Sequence, residues 1–357
     1  MLIFLISIII PVYNVERYLE QCLKSVIINK SDAVEVIIIN DASTDQSLKI
    51  CKKFQKKDTR IQLLDLKENI GLGAVRNLGI QKATGDYIWF IDSDDWIEEN
   101  ALQKLLEFVN KDTYDIVYFG IRKVGEKDRV VLPEFEDFSP TFFRDGLKTL
   151  KGIHPMVWCS LFSRSFLIRN KIVFPEGIYL EDVPFTVRAQ YYCKKLGVIK
   201  ESFYNYRIHE ASITQSASKK KIDDSFTAHL MIKDFLDKEK VFENYKKDFI
   251  IRMLSCCVLP SYVDYFKMPK KFIDKELKSF MKQVRKSDLL IQQNIFLLKE
   301  MATELDQQKP NGGKFFKRAY GFLFGIRYAY GFFKLLFITR LSISRIKQKF
   351  INSLFSI

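Results

Sequence analysis

Between residues 3 and 119, short apolar runs alternate with amphipathic stretches, and each run ends in polar residues. Runs of this length, rich in β-branched and aromatic side chains and apolar throughout, are buried strands rather than half-exposed ones. They fall at 3–10, 34–39, 61–66, 85–91 and 115–119, with helical spacing between them, as in Leu19, Leu23 and Val26. Strand and helix in strict alternation imply an α/β architecture: a mostly parallel sheet with helices on both faces. In such a sheet the carboxyl ends of the strands open on one edge, where ligands bind. Three runs deliver polar groups to that edge: Tyr13-Asn14, Asn40-Asp41 and Asp92-Ser93-Asp94. Residues 11–14 read as a turn whose Asn14 N-caps the next helix, and 42–45 as turn and cap chemistry before the second helix.

The fourth run, from Gly85 to Ile91, stops abruptly in three carboxylates, Asp92, Asp94 and Asp95. Asp92 and Asp94 flank one small residue, so both can reach one hard cation and, through it, a diphosphate. Acids after a strand also cap helices, and Asp95 is expected to cap the helix read at 98–110. Gly71 and Gly73 do not form a dinucleotide fingerprint, which needs a third glycine opening a helix straight after strand one.

Composition narrows the classes. Three histidines argue against a histidine-rich metal site, and six scattered cysteines without Cys-x-x-Cys spacing read as core residues of a reducing cytosol. Residues 1–10 are apolar but lack a basic leader region and a cleavage site, and Pro11 interrupts them too soon for a membrane span. The expected location is therefore cytoplasmic. Of the net charge of +14, ten positive charges lie in residues 309–357, where no acid follows Asp306, leaving +4 for residues 1–306. The basic character belongs to the tail and calls for an anionic partner there.

The order Ile8-Ile9-Ile10-Pro11-Val12-Tyr13-Asn14, Asn40-Asp41-Ala42-Ser43-Thr44-Asp45, Asn69-Ile70-Gly71 with Ala74-Val75-Arg76-Asn77, Asp92-Ser93-Asp94-Asp95 and Glu181-Asp182 resembles glycosyltransferase family two over about residues 3–215. These are inverting enzymes of the GT-A fold. The resemblance implies a nucleotide-diphosphate sugar donor, and a carboxylate that meets a ring N–H suits uracil. It places Pro11, Val12, Tyr13 and Asp41 around the base, and Asn69, Arg76, Asp92 and Ser93 on the donor. Asp94 would ligate Mn²⁺ or Mg²⁺, with Asp92 on metal or ribose. Asp182 would be the general base and Glu181 its positioning partner. Two adjacent acids at a helix start also favour a raised pKa for one of them, although they equally complement the helix dipole. His209 is a candidate third metal ligand or a hydrogen-bonding loop residue, and Arg207 lies beside it. Trp158 is an acceptor platform or a buried aromatic.

The expected domains are a catalytic domain over 1–215, a helical extension over 216–308 and a basic aromatic tail over 309–357. In the tail, Ala-Tyr-Gly-Phe occurs at 319 and again at 329. Arg327 and Lys334 are two helical turns apart and share a face. Aromatic residues and leucines surround them, as in a helix lying in an anionic membrane interface. The sequence thus points to a hexosyl- or N-acetylhexosaminyl-transferase, peripheral on the inner face of the cell membrane. It would act on a glycan or lipid-linked acceptor in capsule, lipooligosaccharide or other surface polysaccharide synthesis. An oligomer is compatible with this reading. The alternatives are an inactive transferase-like protein and a basic-tail binding protein. Nucleic acid is not expected as a partner, because the charge sits among Phe and Leu.

Overall fold

A computed structural model describes residues 4–125, 128–131, 156–209 and 219–252. The expected tail and most of the helical extension lie outside these residues. The first half runs β1 (Ile6–Val12), α1 (Glu16–Ile28), β2 (Val34–Asn40), α2 (Ser47–Gln55), β3 (Ile61–Asp65), α3 (Leu72–Lys82) and β4 (Tyr87–Phe90). The second half runs β5 (Trp96–Ile97), α4 (Ala101–Val109), β6 (Ile116–Val124), β7 (Arg129–Val131), β8 (Ser160–Ser163), α5 (Arg164–Arg169), α6 (Asp182–Tyr192) and β9 (Leu196–Arg207). Helices α7 (Lys219–Lys238) and α8 (Phe242–Arg252) follow.

The sheet order is β3-β2-β1-β4-β8-β6-β9-β5, with β7 beside β6. Strands β1 to β4 are parallel, with Val12 opposite Asn40 and Asn40 opposite Asp65. Beyond β4 the sheet is mixed. Strand β8 runs antiparallel to both β4 and β6, while β9 runs parallel to β6. The alternation in the sequence foretold the parallel half. It did not foretell β8, a four-residue strand that enters the centre of the sheet from chain position 160.

Alternate side chains of the buried strands feed two cores, as the period of two requires. On one face Ile6, Ile8, Ile10 and Val12 meet Leu19, Cys22, Leu23 and Val26 of α1 and Leu102 and Leu105 of α4. On the other, Ile9, Ile37 and Ile39 meet Val75 of α3, Phe166 of α5 and Phe185 of α6. Both faces are covered, so near-continuous apolar runs are what the strands need. Cys22, Cys51, Cys159 and Cys193 are buried free thiols, matching their expected core role. Cys256 and Cys257 lie outside the described residues.

Three local expectations are corrected. Pro11 and Val12 continue β1 instead of forming a turn, because Pro11 pairs with Ile39 and Val12 with Asn40 in the ladder. Asn14 does not cap α1. It adopts a left-handed φ of 48°, and its Oδ1 accepts the amide of Thr44, tying the β1 turn to the loop ahead of α2. Asp95 caps no helix, since β5 intervenes and its carboxylate is buried elsewhere.

Candidate active site

The parallel strands end side by side and set the donor edge. Asp41 follows β2, and its own amide donates to the Val12 carbonyl at 2.8 Å. Its carboxylate is 4% exposed and accepts the amides of Ile70 at 2.8 Å and Gly71 at 3.0 Å. Gly71 needs its glycine: a φ of +83° is strained for any side chain. Asn69 donates its side-chain amide to the Asp41 carbonyl. Tyr13 is half exposed beside this group, whereas Val12 is wholly buried. Asp41 therefore orders the 69–71 loop, and each of its oxygens keeps a second acceptor position.

The loop after β4 sends three carboxylates to three different partners. Asp92 Oδ1 accepts from Arg76 at 2.7 Å. Asp94 Oδ2 lies 2.8 Å from His209 Nε2. Asp95 is buried and accepts from the Tyr204 hydroxyl at 2.7 Å and from the Arg207 amide at 2.7 Å. Tyr204 Oη in turn accepts the amide of Asp92, and Arg207 Nε donates to the Asp94 carbonyl. The Arg207 guanidinium is sandwiched between the rings of Tyr18 and Trp96, 4.9 and 4.6 Å from their centroids. The end of β9 is thus stitched to the acidic loop across more than a hundred residues. Burial first, then the charges of Asp94 and Asp92, push Asp95 up to about 8. Ser93 is buried between these acids.

Arg76 is the hub. It is 3% exposed, unlike the usual helix arginine, and it pairs with Asp92 on one side and with Glu181 Oε1 at 2.5 Å on the other. Burial alone would discourage its charge, but Asp92 and then Glu181 hold it protonated. Glu181 stands at the N-cap of α6 without capping it, because its side chain turns to Arg76. Asp182 opens α6. Burial, then the charge of Glu181, push Asp182 up to about 8, with Arg76 pulling the other way. Burial likewise raises Glu181. Leu180, just before the pair, has a φ of 60°, a conformation that costs a non-glycine residue about 1–3 kcal/mol.

Helix α3 approaches the chain ahead of α6 so closely that a Cβ on Gly73 would lie 2.2 Å from the Pro175 carbonyl oxygen. Asn77 completes the seam, donating to the Phe174 carbonyl and accepting the Phe174 amide.

The structure brings Asp92, Arg76, Glu181 and Asp182 into one charged cluster, and Asp94 and His209 into a pair. It does not assemble the expected three-ligand set of Asp92, Asp94 and His209, because Arg76 holds Asp92. Among the described residues no three His, Cys, Asp or Glu side chains gather as metal ligands. Trp158 is 6% exposed and stacks on Tyr204 and Tyr206 at 4.7 and 5.3 Å, so it is a core aromatic and not a platform. Tyr204 and the true partners of Asp95 escaped the sequence reading. The only signal was a Tyr-x-Tyr-Arg alternation at the end of a strand.

Comparison with known proteins matches residues 7–170 to the model "Glycosyl transferase family 2". The chain is 32% identical over 274 residues to the "Putative glycosyltransferase EpsH" of Bacillus subtilis, covering 71% of this chain and 76% of EpsH. The chain belongs to glycosyl transferase family 2. It is also 35% identical over 208 residues to a poly(ribitol-phosphate) beta-glucosyltransferase of Bacillus spizizenii, covering 57% of this chain and 32% of that protein. Among solved structures, residues 1–349 of S. aureus TarS in complex with UDP-GlcNAc superpose with a TM-score of 0.62 at 23% identity. That superposition covers 80% of this chain and 83% of the TarS chain, and it supports the GT-A fold. The protein is a glycosyltransferase of the expected fold class. Among the described residues no helix is long and apolar enough to cross a membrane.

Proposed function

We propose that this transferase moves a sugar, with inversion, from a uridine diphosphate sugar to a hydroxyl of a cell-surface glycan or its lipid-linked precursor. The observation that carries this reading is the double pairing of Arg76. One buried guanidinium joins the acidic loop after β4 to the Glu181-Asp182 pair of α6, so donor-side acids and base share one site. Asp182, raised by burial and by Glu181, is the general base that takes the acceptor hydroxyl proton as it attacks. Asp41, with acceptor positions left over, takes the N3–H of uracil beside Tyr13, Val12 and Pro11. Asn69 and Gly71 hold that corner, and Ser93, Asp92 and Arg76 face the sugar diphosphate.

The residues fit a divalent cation. Asp92, Asp94 and Glu181 gather here with Arg76 paired to two of them, and an anionic diphosphate would add negative charge beside them. Asp94 and His209 already converge at 2.8 Å, and among the described residues His209 Nδ1 is buried without a partner. These two, with Asp92 if it leaves Arg76, would hold Mn²⁺ or Mg²⁺, leaving the remaining positions for phosphate oxygens. Such an ion supplies neutralisation of the leaving diphosphate.

We assign residues 1–215 to catalysis, 216–308 to a helical extension and 309–357 to an anionic membrane surface on the cytoplasmic side. The tail's ten unopposed positive charges support the last of these. The donor assignment is tested by incubating the protein with uridine, guanosine, cytidine and thymidine diphosphate sugars, with Mn²⁺ and after chelation. Hydrolysis of a uridine diphosphate sugar that stops on chelation is the expected result. Preference for another nucleotide, or turnover indifferent to chelation, would overturn the reading.

A further inference from the structure

The chain ahead of Asp182 is clamped from two sides, and only one clamp lies within the family-matched residues. On the α3 side, Gly73 and Asn77 receive Pro175 and Phe174. On the other side stand the first two turns of α7, about forty residues further along the chain. Asp224, 8% exposed, accepts the backbone amide of Tyr179 at 2.8 Å. The same Asp224 oxygen accepts from Lys220 Nζ at 2.7 Å, and Lys220 also donates to the Gly177 carbonyl at 2.8 Å. The ammonium sits 4.9 Å from the Tyr179 ring centroid.

The clamped segment is itself conformationally constrained. Gly177 has a φ of +75° and Leu180 a φ of 60°. A left-handed non-glycine residue persists only where its surroundings over-determine it, and such residues cluster at active sites. Here the reversal at Leu180 starts the turn in which the Val183 amide donates to the Leu180 carbonyl, and that turn aims Asp182. Glu181 is secured by Arg76, whereas among the described residues no side chain hydrogen-bonds to the Asp182 carboxylate. Its place depends on the backbone on either side.

We infer that Lys220 and Asp224 are positioning residues for Asp182: the start of the helical extension sets the base through the 177–180 turn. This rests on Asp182 being the base. It makes α7 part of the machinery for transfer, and not merely a support packed on α6.

The test compares Asp224→Ala, Asp224→Asn and Lys220→Met in the full chain, with Asp182→Asn alongside, reading kcat and the KM for the donor separately. Misplacing a reacting group by about 1 Å costs up to about a hundredfold, so Asp224→Ala is expected to lower kcat by about 10- to 100-fold with donor KM unchanged. Asp224→Asn keeps an acceptor for the Tyr179 amide and should restore most of that loss. Lys220→Met should fall between the two. A kcat for Asp224→Ala within twofold of the parent would overturn the inference, as would an equal rise in donor KM. If Asp224→Ala does not fold, a parental kcat in both Asp224→Asn and Lys220→Met overturns it, and a kcat lowered in Lys220→Met alone upholds it. Failure of the base assignment is separate: it appears as retained turnover in Asp182→Asn, whatever the α7 variants do.

Discussion

The donor edge and the base edge of this site are built by different means. At the donor edge, Asp41, Asn69 and Asp92 follow consecutive parallel strands, and main-chain amides hold the acid: Ile70 and Gly71 both donate to Asp41. At the base edge, side chains from distant positions do the holding. Arg76 reaches Glu181 across 105 residues, and Asp224 reaches Tyr179 across 45. Main-chain amides are supplied wherever a strand gives way to a loop. A single buried guanidinium has no such reserve, and its two acids lose their counter-charge together if it is removed. The same residue type therefore has one chemistry at one edge and another at the other. Asp182 is raised to about 8 by burial and by its neighbour Glu181, with Arg76 the main charge opposing.

The sharpest way to break this contrast is Asp182→Asn. Loss of a general base costs roughly 10²–10⁴-fold in turnover. Calorimetric titration with the nucleotide should show donor affinity unchanged, because the donor edge is left intact. Parental turnover would move the chemistry away from the base edge.

Arg76→Met comes next. It strands Glu181 as a buried charge and leaves the half-buried Asp92 unpaired, and removing one partner of a buried pair costs about 3–5 kcal/mol. Urea unfolding measures this, and a cost below about 1 kcal/mol would show that the base edge does not hang on one cation.

Asp41→Asn is the matched substitution at the donor edge. One amide keeps its acceptor while the other meets an NH₂ group, and an unsatisfied buried donor costs about 1–3 kcal/mol. A loss as large as that of Arg76→Met would erase the distinction between the edges.

The pH profile sharpens the comparison with the smallest step. The base must be ionised, so kcat should rise about tenfold per pH unit below its pKa and level off near 8. Stability changes in the opposite sense. A carboxyl raised in the folded state favours the fold most below the ordinary range of about 4, and that contribution is lost as pH rises toward 8. A kcat limb in the ordinary carboxylate range would mean that Asp182 is more solvated than its surroundings indicate.

The donor edge was legible because its signals are local. Near-continuous apolar runs, a glycine-containing loop and acids at strand ends each express the conformation of a few adjacent residues. They were enough to place Tyr13, Asp41 and Asp92 on one edge of a parallel sheet with both faces covered. Local reading failed where a competing local motif looked equally good. Asn14 and Asp95 both sit where a cap would, yet each is used across the site, by Thr44 and by Tyr204 and Arg207.

Element type, the parallel character of β1 to β4 and the candidate acids thus followed from the chain itself, since backbone preference and side-chain period act over short separations. Three matters were left to tertiary structure: which acid meets which cation, the burial of Arg76, and the entry of β8 beside β4. Each depends on contacts between residues far apart in the chain. The energy of a buried charge is set by whatever partner the fold brings within about 4 Å, and the order of residues does not encode that distance.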